Sequence, residues 1–232
     1  MKVNFFYALI FLLLFSSSLF GQNKKIVDNG YEKGILVDGF KEGLWSYYDN
    51  DTLKIQINYS TGKLMYLQKD TSGYAILTDK GWEISKLDIY PHYLGSTNEL
   101  LQIISNNIRY PAKARINSTR GTVLIGFEVN LKGKIENLKI IKDIGRGCGS
   151  EVIKAFAMVP DYWLVAQKNH KRYKSRYILP VKFKIGKIKK GKIFYKKDSK
   201  REIKKIQKAK SKYSPANYLP EITVTAVAMT RR

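Results

Sequence analysis

The chain has 232 residues, with 42 Lys or Arg against 19 Asp or Glu, for a formal net charge of +23. Its hydrophobic share of 44% and aromatic share of 12% suffice for a packed core, which excludes a wholly disordered chain. The one cysteine, Cys148, lies deep in the sequence, which excludes an internal disulfide and lipid attachment behind a leader. At the start, Lys2 precedes an apolar run from Phe5 to Phe20, followed by Gly21. That run has 16 residues, fewer than the roughly 20 of a bilayer-spanning helix, and its layout is that of a signal peptide. The expectation is a periplasmic chain cleaved after Gly21, or one held by an uncleaved inner-membrane anchor with the remainder outside.

From residue 22 to 88 the pattern is short strands punctuated by Gly30, Gly34, Gly39, Gly43, Gly62, Gly73 and Gly81. Two stretches, Asp38-Gly39-Phe40-Lys41-Glu42-Gly43-Leu44-Trp45 and Asn58-Tyr59-Ser60-Thr61-Gly62-Lys63-Leu64, place a glycine turn beside an aromatic strand. They resemble a degenerate pair of MORN-type repeats. Two such units cannot bury a repeat core alone, so a small antiparallel β-meander leaning on the following domain is expected. Trp45, Tyr47 and Tyr59 are expected in its core, with a carbohydrate-binding platform as the alternative.

A second unit is expected over residues 89–186. Ser96-Thr97-Asn98-Glu99 is a capping box, and Leu100, Leu101, Ile103, Ile104 and Ile108 follow at helical spacing up to Tyr110-Pro111. Val123, Ile125, Phe127 and Val129 alternate with Thr122, Leu124, Gly126 and Glu128, predicting a strand with one buried face. Asn130-Leu131-Lys132-Gly133 reads as a hairpin loop into a partner strand over residues 134–142. A helix capped by Ser150 and stopped by Pro160 comes next, with Val152, Ile153, Phe156 and Ala157 inward. Residues 173–185 then alternate as a long strand. The predicted class is α+β, in the order helix, β-hairpin, helix, strand.

That order, with Ile108-Arg109-Tyr110-Pro111-Ala112, Gly121-Thr122-Val123, Gly133-Lys134-Ile135, Val159-Pro160-Asp161-Tyr162-Trp163 and Leu179-Pro180-Val181, resembles the C-terminal domain of the TonB family, of the Bacteroidetes type. Tyr110, Pro111, Gly121, Pro160 and Trp163 carry the motif. The resemblance implies a binding module that adds a short extended segment of an outer-membrane TonB-dependent receptor to a sheet edge. The expected edge is the last strand, at Tyr173, Lys174, Ser175, Arg176, Tyr177, Ile178 and Leu179, whose lysines and arginine would also guard an open edge against aggregation. The 6 prolines are scattered rather than gathered in a long spacer, so energy coupling is not implied. The alternative function is a structural or regulatory envelope protein using the fold for self-association or wall binding.

Lys182 to Lys212 carries 15 Lys or Arg against Asp198 and Glu202. Residues 187–218 are therefore expected to form a solvated basic linker, with attraction to an anionic membrane surface or the cell wall as its functional reading. Nucleic acid is not an expected partner of an exported chain. The tail over residues 219–232 contains Glu221-Ile222-Thr223-Val224-Thr225-Ala226, which resembles a TonB box, so box and reader stand on one chain. It is expected either to occupy the domain's own edge or to be presented to another such domain. No enzyme is expected. His92 and His170 are 78 residues apart with no carboxylate at ligand spacing, and Gly145-Arg146-Gly147-Cys148-Gly149 lacks the lysine and hydroxyl of a phosphate loop. No catalytic residue, metal or cofactor is assigned, and both histidines are read as surface residues.

Overall fold

The computed structural model describes residues 23–228, so the expected leader over residues 1–21 lies outside the described residues. No helix among them is long and apolar enough to cross a membrane. The N-terminal unit is an antiparallel meander of β1 (Lys24–Asp28), β2 (Glu32–Val37), β3 (Phe40–Asp49), β4 (Thr52–Asn58) and β5 (Lys63–Leu67), adjacent in chain order. Trp45, Tyr47 and Ile55 are fully buried, with Tyr59 packed against them and its hydroxyl 2.6 Å from that of Tyr47. A Cβ on Gly34 would lie 2.4 Å from the Trp45 ring, so glycine there lets the indole close over the sheet. With Trp45 and Tyr47 at 0% exposure, the carbohydrate-platform reading is withdrawn.

The next hairpin, β6 (Tyr74–Thr78) and β7 (Gly81–Ser85), leaves this sheet and joins another. The break between sheets falls at residues 68–73, ahead of the boundary expected near residue 88. Then follow β8 (His92–Tyr93), α1 (Thr97–Asn107), α2 (Ala112–Ile116), β9 (Gly121–Val129), β10 (Ile135–Lys142) and α3 (Cys148–Phe156). The chain continues through β11 (Trp163–Leu164), β12 (Ala166–Lys168), β13 (Lys171–Tyr173), β14 (Ser175–Lys189), β15 (Lys192–Tyr195), α4 (Lys200–Tyr213), β16 (Asn217–Tyr218) and β17 (Ile222–Val227). The second sheet runs β10-β9-β14-β6-β7, with β15, β16 and β17 also pairing with β14. The class is mixed, with mostly antiparallel sheets and few helices.

Local signals place the helices. Ser96 Oγ accepts from the Glu99 N–H at 3.0 Å and starts α1, whose buried Leu100 and Ile104 pack on the main core. The helix expected from Ser150 starts two residues earlier, at Cys148, with Gly147 at its N-cap in the left-handed region. Only glycine takes that conformation at no steric cost, so the glycine run sets the boundary.

All nine residues of β9 are buried, against the expectation of one open face. Val123, Ile125, Phe127 and Val129 face the main core beside α3, while Leu124 packs with Ile178, Tyr213 and Ala216 on the other side. What covers that second side is α4, formed by the stretch expected to be a flexible linker. Ser199 Oγ caps it by accepting from the Glu202 N–H at 3.2 Å, and Ile206, Ala209 and Tyr213 make one apolar stripe among the lysines. Burial of that stripe, rather than the average polarity, decides that the segment folds.

Candidate functional site: the two edges of the long strand

One edge of β14 is taken by β9, in unbroken antiparallel register from Ser175↔Val129 to Phe183↔Gly121. The other edge was expected to be free. It carries β6 at Ser175↔Ile76, β16 at Tyr177↔Asn217 and Ile178↔Tyr218, and β17 in parallel from Val181↔Ile222 to Gly186↔Val227. The strand expected to be open over Tyr173 to Leu179 is thus flanked on both sides, because the basic stretch folds back and delivers the tail to it. Tyr173 belongs to β13, paired with Ala166.

The side chains once read as edge guards have partners. Lys174 Nζ is 2.6 Å from Glu136, which holds the Glu136 carboxyl below the usual carboxylate range. Arg176 pairs with Glu128, and Lys182 with Asp198. Ile178 and Leu179 are fully buried, and the buried Tyr177 donates its hydroxyl to the Pro91 carbonyl at 2.9 Å.

Hydrogen-bond direction along β14 follows the strand period of two. The carbonyls of Lys174, Ile178 and Gly186 accept from the N–H groups of Leu77, Leu219 and Ala228, so even-numbered residues serve the tail edge and odd-numbered ones face β9. The N–H groups of Ser175 and Tyr177, expected to receive a peptide, point to β9. Pro180 lacks a donor on the tail edge, and opposite it the tail pairing is interrupted at Leu219-Pro220-Glu221.

The tail docks by side chain as well as backbone. Ile222 is buried in the main core and Val224 packs against it, while Glu221, Thr223 and Thr225 are exposed and Ala226 is half-buried. Arg115 Nε donates to the Val227 carbonyl at 3.3 Å, and Asn217 Oδ1 accepts from the Ala75 N–H at 2.9 Å. Neither Arg115 nor Asn217 stood out in the sequence; each acts on the backbone of one residue more than 100 positions away. Among the described residues β17 pairs with no strand besides β14, so its far edge is the open one.

The motif residues fall on several elements of the domain. Tyr110 stacks edge-on to Phe183, 5.2 Å between centroids, and donates to the Thr119 carbonyl. Pro111 caps α2. Gly121 opens β9 at φ 136°. Pro160 follows α3, and buried Trp163 meets Tyr93, Phe127 and Tyr177 at 5.0–5.7 Å. A cavity of about 260 Å³ lies between this aromatic group and the tail, lined in part by His92, Trp163, Tyr177, Tyr218 and Pro220.

His92, read as a surface residue, is half-buried beside Asp49, with Nε2 3.9 Å from the carboxylate. Loss of hydration lowers its pKa, partly opposed by Asp49. Burial pushes the Cys148 thiol up to about 12, the reverse of what a nucleophile needs. No group of three or more His, Cys, Asp or Glu with metal-ligand placement occurs among the described residues.

No curated protein and no solved structure matches the chain. Residues 106–185, which run from the end of α1 to the middle of β14, match the family model for the Gram-negative bacterial TonB protein C-terminal, so the part of the chain that builds this edge is similar to a TonB C-terminal domain.

Proposed function

We propose that this chain is a periplasmic protein-protein interaction module resembling TonB, which engages an outer-membrane TonB-dependent receptor by β-strand addition beside β14, with its own tail as the competing strand. The observation that carries this reading is the six-residue parallel pairing of β17 on β14, by a segment whose alternate Ile222, Val224 and Ala226 resemble a receptor box. An edge that holds this segment has the pockets and hydrogen-bond groups for another of the same kind. Tethering keeps the tail at an effective concentration of order millimolar, so a receptor segment gains access only against that competition.

The test titrates a receptor-box peptide against the full chain and two proline variants. By the period of two from Ala228, the Ala226 N–H faces β14 and the Thr225 N–H faces outward. Ala226→Pro loosens the tail and is expected to tighten peptide binding about tenfold or more. Thr225→Pro leaves tail pairing intact and should leave peptide affinity unchanged. If instead Thr225→Pro alone abolishes binding, the peptide adds to the open edge of β17. Absence of binding by every form rejects receptor docking and favours the structural or regulatory envelope role.

A further inference from the structure

We propose that the hairpin formed by the end of β14 and β15 is an interfacial anchor that lays its apolar residues on a lipid bilayer bearing anionic headgroups. Past Gly186, β14 pairs among the described residues with β15 alone, through Lys187↔Phe194, Ile188↔Ile193 and Lys189↔Lys192. The turn at Lys190-Gly191 has positive φ at both residues, which suits a two-residue hairpin.

Directly opposed residues share a face, and faces alternate along each strand. Ile188, Ile193 and Tyr195 therefore line one face. They close over Gly186, where a Cβ would meet Ile193 Cγ2 at 2.3 Å and Tyr195 Cε1 at 3.2 Å. Lys187, Lys192 and Phe194 line the other. Three large apolar side chains stand in solvent together on the first face, Ile188 at 63%, Ile193 at 49% and Tyr195 at 44% exposure, with Phe194 exposed on the second. Such a cluster on a protruding element marks a contact surface more often than a scatter of single apolar residues does.

Charge selects the occupant. Lys187, Lys190, Lys192, Lys196 and Lys197 are exposed, none belongs to an ion pair among the described residues, and the stretch from Lys187 to Lys197 contains no carboxylate. A second copy paired along the open side of β15 would bring these lysines against their own kind. An anionic bilayer neutralises them and also covers the apolar face: lysine stems extend their ammonium groups to the phosphates while the Tyr195 ring sits at headgroup depth. The hairpin lies outside the tail pairing, so the outcome here is independent of the strand-addition reading.

The test measures co-sedimentation of the full chain with phosphatidylglycerol vesicles and with phosphatidylcholine vesicles. Binding is expected to the first only, and to weaken at least about tenfold between low and high salt. Ile188→Ser with Ile193→Ser removes apolar area from that face and keeps every charge, and is expected to weaken binding at least about tenfold. Both side chains are exposed, and a melting curve checks that the fold is retained. Ile188→Trp supplies a second readout, an added quenching of tryptophan emission by brominated lipid over that of the native protein. Equal binding by the serine double variant, or no added quenching, overturns the insertion. Binding to soluble polyglutamate but not to vesicles overturns the lipid and identifies an acidic protein as the partner.

Discussion

Arg176 donates through Nε and Nη2 to a single oxygen of Glu128, at 3.3 and 3.1 Å, and its guanidinium stacks between the rings of Trp82 and Tyr213 at 3.9 and 4.6 Å. One side chain thus joins β7, β9, β14 and α4. Both members are mostly withdrawn from water, at 16% and 9% side-chain exposure, and Asn137 donates to the second Glu128 oxygen at 2.8 Å. Replacing Arg176 with Met strands the carboxylate and should cost about 3 kcal/mol in urea unfolding at neutral pH. Combining it with Glu128→Gln should recover part of that loss. A change below about 0.5 kcal/mol would mean that solvent already pays the pair's role.

Gly126 is where α4 meets the sheet. A Cβ there would lie 2.6 Å from the Tyr213 ring and 2.7 Å from Ile141 Cδ1. Gly126→Ala should destabilise the domain by about 1–3 kcal/mol through overpacking. The expected signature is loss of protection in α4 amide exchange ahead of the main core, since the face bearing Val123, Ile125 and Phe127 is untouched. Uniform loss across the domain would show that α4 is no separate layer.

The half-buried His92 makes stability depend on pH. Its folded pKa is lowered by loss of hydration, so below the unfolded value of about 6.5 the unfolded chain binds a proton that the folded one resists. Its contribution is fully present above that value and is lost as pH falls toward the folded pKa, at most about 1.4 kcal/mol per pH unit. The melting temperature should therefore drop between pH 7.5 and 5.5, and His92→Gln should flatten the drop. An equal drop in the variant would assign it to other groups.

Cys148 is fully buried at the start of α3, and its thiol is pushed up to about 12. Alkylation by iodoacetamide at pH 8 should run about a thousandfold slower in the native protein than in urea, because the thiolate fraction falls with each unit of pKa. Native labelling at the unfolded rate would reveal an open form of the α3 region.

Much of the fold was readable as local pattern. The Ser96 capping box, the alternation along residues 121–129 and the Gly-aromatic rhythm around Trp45 each report a preference set within a few residues, and the structure has a helix, a strand and a buried indole there. The tail strand was legible for the same reason, from Ile222, Val224 and Ala226. The segment over residues 187–218 was misread because its apolar stripe, Ile206, Ala209 and Tyr213, is diluted by lysines, and only the second face of β9, around Leu124, makes those three residues worth burying. His92 and Asp49, or Arg115 and the Val227 carbonyl, meet across 43 and 112 residues, separations over which no periodicity carries information. Most strands and helices were legible in the sequence alone, because backbone preference and the spacing of apolar residues act locally. Which strands occupy the two edges of β14 came from the tertiary structure, because an edge is defined by what the rest of the chain brings beside it.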